Sequence, residues 1–98
     1  MITGTIWDDS TSPADVLAIQ QSFVSKWIPT LAAATGEDDS GAYSNEASVF
    51  EPNFQTTFFG NNYARLSSIK AEYDPDDLFI VGAGVGSERW DSSGMCTV

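Results

Sequence analysis

Asp74-Pro75 closes a helical pattern with 23 residues still to come, and that remainder limits the fold more than any other feature. Proline has no N–H to donate and pushes the residue before it out of the helical region, so the helix stops there. The chain continues into "LFIVGAGVGSERW", residues 78 to 90. An apolar run, Leu78 to Val81, leads into Gly82, Gly84 and Gly86. That order resembles the opening of a dinucleotide-binding strand–helix turn. The fingerprint needs Gly-x-Gly-x-x-Gly, a helix at the third glycine and a second strand. Here the third glycine comes one residue early and the required position is Ser87, with eleven residues left after it. A strand–helix–strand unit takes about 30 residues. The loop therefore reads as a glycine-rich connection whose small residues allow close packing on a surface.

Upstream, "MITGTIW" alternates and is β-branched, which predicts a strand. Ser12 is a good N-cap and Pro13 a good first helical residue. Val16, Leu17, Ile19, Phe23, Val24, Trp27 and Ile28 come at helical steps, predicting an amphipathic helix that Pro29 bends or ends. "TLAAATG" adds a turn or two before Gly36. "AYSNEASVF" reads as a short strand with Tyr43 and Asn45 on one face, and "EPNFQTTFFG" as a short helix. "GNNYARLSSIKAEYDP" predicts a second helix, capped by Asn61, with Asn62, Leu66, Ile69 and Tyr73 on one face and Tyr63 beside them.

Charge and composition exclude several functions. Fourteen acidic residues face four basic ones, for a net charge of −10, so phosphate backbones and anionic membranes are disfavoured partners. There is no histidine and one cysteine, Cys96. That removes Ser-His-Asp and Cys-His catalysis, and Cys/His zinc sites. No metal site is expected. No apolar run approaches the roughly 20 residues of a membrane span.

Taken in order, "AYSNEA", "FFGNNYARLSSIKAEYDPDDLF" and "GVGSERW" form one signature. It resembles the C-terminal signature of the berberine bridge enzyme-like family of FAD-linked oxidoreductases, most of all its fungal branch. The carriers are Tyr43-x-Asn45-Glu46, Gly60-x-Asn62-Tyr63-x-Arg65-Leu66, Ile69-Lys70, Tyr73-Asp74-Pro75, Leu78-Phe79 and Gly84-Val85-Gly86-Ser87-Glu88-x-Trp90. The resemblance implies an α+β fragment of a flavoenzyme: one or two short strands, two main helices and an irregular tail. Residues 1–40 would be the end of a substrate domain, and 41–98 the berberine-like segment that packs on the FAD domain.

By the same resemblance FAD is the cofactor, held mainly by a missing N-terminal portion, and the substrate is a small molecule with a CH–OH or CH–NH group. Tyr43 becomes the candidate catalytic residue, a phenol able to accept or relay a proton. Asn45, Asn62 and Tyr63 become candidate cofactor contacts. The chain alone is expected to be inactive, and to reach the secretory route only if the full-length protein carries a signal peptide. Bland alternatives stand beside these roles. Tyr43 can be a half-buried strand aromatic, Asn45 a partner of the local turn, Asn62 a helix cap and Tyr63 core. Arg65 and Lys70 can be surface ion pairs, and Trp90 a packing anchor for the tail. A rival for the whole chain is a small acidic α+β interaction module without cofactor.

Overall fold

The structure is a computed structural model, and it describes residues 4–36 and 41–98. They belong to two compact units, residues 1–37 and 38–98.

In the first unit, Asp8 organises a turn: its carbonyl accepts from the Thr11 N–H at 3.0 Å, and its carboxylate from the Ser10 N–H at 2.9 Å. The Ser12 hydroxyl then caps α1 (Pro13–Ser22), accepting from the Asp15 N–H at 3.2 Å and donating to the Asp15 carboxylate at 2.7 Å. This is the N-cap that the sequence predicts, with Pro13 opening the helix. Pro29 does not end the helix. A π-helical turn at Phe23–Trp27 intervenes, closed by the Ile28 N–H on the Phe23 carbonyl, and α2 (Ile28–Thr35) carries on to Gly36. A wider turn takes the proline ring past the carbonyl it would otherwise strike, in a place where its missing N–H is not needed.

In the second unit the chain enters through the Ala42 N–H, which donates to the Thr57 carbonyl at 3.0 Å. Two turns come next, closed by Glu46 N–H to Tyr43 C=O at 3.0 Å and Glu51 N–H to Ser48 C=O at 3.2 Å. Helix α3 (Phe54–Phe59) ends at Gly60, whose φ of +55° a side chain would disfavour. A 3₁₀ turn at Gly60–Asn62 runs into α4 (Tyr63–Tyr73). The residue preceding α4 is thus Asn62 rather than Asn61, and it makes no side-chain capping bond; the Tyr63 N–H bonds the Gly60 carbonyl instead. Asp74 stops α4 and gathers the next free amides, accepting from the Leu78 N–H at 2.8 Å and the Phe79 N–H at 3.0 Å. A single 3₁₀ turn, Ser87–Arg89, precedes an isolated antiparallel bridge between Trp90 and Thr97.

The expected strands are not present among the described residues. Gly4–Trp7 is irregular, and Met1–Thr3 lie outside the described residues. Residues 43–46 are turn, not strand, and the Leu78–Val81 run has no ladder. A strand needs a partner to take its N–H and C=O groups, and the backbone bonds that residues 42–51 make are two turns and one bond to Thr57 of α3. The helical half of the α+β expectation stands; the strand half is corrected. Among the described residues no apolar side chain is fully buried, and Leu78, Phe79 and Val81 are 81%, 83% and 70% exposed.

Candidate functional site

Tyr43 and Asn45 meet, although not by strand periodicity. The tight turn at 43–46 brings the side chains of positions i and i+2 to one side, and the Asn45 amide donates from Nδ2 to Tyr43 Oη at 3.0 Å. Tyr43 is 65% exposed. The Asn45 side of the turn borders a small cavity of about 130 Å³, walled by Val49, Phe58, Phe59 and Val81 to Gly84. Asn62 is exposed at the head of α4.

Tyr63 is differently placed. Its ring lies edge-on to Phe54, centroids 6.0 Å apart, and 5.8 Å from the ring of Phe59. Its hydroxyl donates to Glu88 Oε2 at 2.6 Å and accepts from the Gly86 N–H at 3.2 Å. Burial, then the bond to the Glu88 carboxylate, raises the phenol above its ordinary pKa. Tyr63 therefore fastens the glycine loop to α4.

Beside it lies a second fastening that sequence reasoning missed. Asp77, its side chain 8% exposed, accepts from Arg89 Nε at 3.0 Å, from the Arg89 terminal nitrogen and from the Trp90 indole at 2.9 Å. Lys70 stands 3.6 Å from the same carboxylate, bonds Asp74 one turn further on, and donates to the Phe79 carbonyl at 2.6 Å. The Arg89 and Trp90 hydrogen bonds hold the Asp77 carboxyl down at about 2. Lys70 lowers Asp74 in the same way, and Asp77 raises Arg89. Lys70 was expected in a surface ion pair with no partner named, and the partner is Asp74; Asp77 and Arg89, joined through irregular chain, carried no periodic signal.

The glycine loop fails as a phosphate cradle. Its Gly84 N–H bonds the Val81 carbonyl at 3.0 Å, Gly86 N–H the Tyr63 hydroxyl, and Ser87 N–H the Gly84 carbonyl at 3.1 Å. Three of the amides that a phosphate cradle would need are thus committed within the chain. A Cβ on Gly84 would sit 2.6 Å from a Val81 methyl, so Gly84 serves close self-packing. By contrast the Tyr43–Asn45 pair, among the described residues, leaves three polar positions without a partner: the phenol hydrogen, one phenol lone pair, and the Asn45 carbonyl. Those suit the polar edge of a flavin or a substrate hydroxyl. A larger open groove of about 580 Å³ runs between Val49–Pro52, Ile80–Ala83 and Trp90–Gly94.

Residues 42–86 match the family model described as berberine and berberine like. Across 92% of its length the chain is 47% identical to an uncharacterized FAD-linked oxidoreductase of Arthroderma benhamiae. The chain carries the berberine-like segment found in FAD-linked oxidoreductases. An FAD-linked oxidoreductase, malF, of Malbranchea aurantiaca is 45% identical over 82% of this berberine-like chain. The crystal structure of the VAO-type flavoprotein MtVAO615 from Myceliophthora thermophila C1 matches 94% of it at a TM-score of 0.80 and 39% identity. The berberine-like chain spans 15% and 13% of these two curated relatives and 17% of the solved flavoprotein.

Proposed function

We propose that this chain is a segment of an FAD-dependent oxidoreductase acting on a CH–OH or CH–NH group of a small molecule, and that it lends residues to the flavin and substrate pocket. The observation that carries the reading is the likeness to a VAO-type flavoprotein, at a TM-score of 0.80 and 39% identity over 94% of the chain. FAD is held mainly by a portion of the enzyme outside these residues, in keeping with a glycine loop that commits the Gly84, Gly86 and Ser87 amides to its own chain. When bound, FAD supplies the hydride acceptor.

The chain's own residues have narrower tasks. Tyr43 accepts or relays the proton that leaves the substrate heteroatom. Asn45 offers its carbonyl to a polar edge, and Asn62 offers an exposed amide at the head of α4. Tyr63 contributes through its ring, its hydroxyl being committed to Glu88 and Gly86.

The test is complementation. The Arthroderma benhamiae relative is expressed without its matching segment, and this chain is supplied in its place. Flavin absorbance that co-purifies with the pair, and is absent from the truncated relative alone, is the expected result. If the intact relative carries flavin and the reconstituted pair never does, the reading is wrong.

A further inference from the structure

Resting on that flavoenzyme reading, we infer that Asn45 is a positioning residue for Tyr43, fixing which way the phenol hydroxyl points rather than only touching a cofactor. The turn closed by the Glu46 N–H on the Tyr43 carbonyl brings both side chains together, and the Asn45 amide donates to Tyr43 Oη at 3.0 Å. A phenol oxygen has two lone pairs and one hydrogen. With one lone pair filled by Asn45, the hydrogen cannot turn toward the amide, which offers it only another hydrogen. Among the described residues nothing else meets the hydroxyl, which leaves it one acceptor position and one donor position, both facing away from Asn45. A proton relay needs that arrangement. The proton of a substrate hydroxyl enters at the open lone pair while the phenol's own hydrogen leaves to water, and Tyr43 ends as it began.

A carboxylate at position 45 would invert the order. It can only accept, so it would draw the Tyr43 hydrogen inward and close the donor position. Asn45→Asp, nearly identical in shape, thus separates positioning from packing.

Two measurements decide. In the 98-residue chain labelled with ¹⁵N-asparagine, the Asn45 side-chain amide resonances are expected to move on Tyr43→Phe, with those of Asn62 unchanged. In the flavin-loaded complex, Asn45→Ala and Asn45→Asp are each expected to lower kcat about fivefold, the scale of one hydrogen bond, with KM within about twofold. Added to Tyr43→Phe, either should lower kcat no further. Amide resonances that ignore Tyr43→Phe overturn the pairing. An equal loss from Asn45→Ala with and without the Tyr43 hydroxyl overturns the positioning role. A shifted amide in a chain that never yields a flavin complex overturns the flavoenzyme reading and leaves only the pairing.

Discussion

The Asp77 carboxylate holds the indole of Trp90, thirteen residues further along the chain, by a 2.9 Å hydrogen bond. The same carboxylate takes Arg89 through two nitrogens and has Lys70 3.6 Å away. Removing it as Asp77→Ala leaves two cations facing each other and the indole N–H without its acceptor. The expected outcome is a midpoint of thermal unfolding lower by about 5 °C and faster proteolytic cutting between residues 78 and 98.

Acid should act through the same group. Its carboxyl is held at about 2 in the folded chain, against roughly 3.9 when unfolded. The stabilisation is therefore whole above about pH 4 and is lost as pH falls from there through about 2. Asp74 is lowered by Lys70 and Asp91 by the Ser93 hydroxyl, and both add to the same slope. Asp77→Asn should flatten the fall of the unfolding midpoint between pH 4 and 2. An unchanged slope would count against the clamp.

Tyr63 titrates on the opposite side. Its phenol is raised by burial and by Glu88, so its contribution is complete below about pH 10, the unfolded value, and is lost as pH rises through the folded one. Tyr63→Phe deletes the bond to Glu88 and strands the Gly86 N–H. A loss of about 1–2 kcal/mol at neutral pH is expected by denaturant titration, together with a weaker alkaline dependence.

The glycines of the loop are not equivalent. Gly86 has φ +88°, and a Cβ there would meet the Arg89 guanidinium at 2.5 Å, whereas one on Gly82 would touch Val49 at an ordinary 3.6 Å. Gly86→Ala should cost about 1–2 kcal/mol from the left-handed backbone alone, and more as Arg89 is pushed off Asp77. Gly82→Ala should be near neutral. Parallel denaturant melts of the two variants give the comparison.

Leu78, Phe79 and Val81 stand exposed, with the partly covered Ile80 between them. Phe79→Ser should lower the binding of a hydrophobic dye to the isolated chain without changing its helical circular dichroism.

How much of this was visible in the residues depends on distance along the chain. Helix α4 was legible because Asp74-Pro75 and the spacing of Leu66, Ile69 and Tyr73 act within a few residues. The Ser12 cap was legible for the same reason. "AYSNEASVF" alternates like a strand, yet alternation supplies no partner, and its backbone closes into turns. The Tyr43–Asn45 face was expected from the period of a strand and is delivered by a turn. Trp90 does anchor the tail, but through its indole N–H on Asp77, and the Asp77–Arg89 contact spans twelve residues of irregular chain that no pattern announces.

The π-helical turn at Phe23–Trp27 has an effect beyond sparing Pro29. An α-helix advances about 100° per residue, and a turn holding one residue more sets everything after it out of phase with what came before. Val16, Ile19, Gln20, Phe23 and Val24 are partly covered at plain helical steps, and the covered set resumes at Ile28, Leu31 and Ala32, while Trp27 is left 55% exposed. In an alignment against a relative whose helix is uninterrupted, this helix should therefore look as though it carried a one-residue insertion. Deleting a residue from Phe23–Trp27 should swing the Trp27 side of the helix inward and bring the proline ring against the backbone.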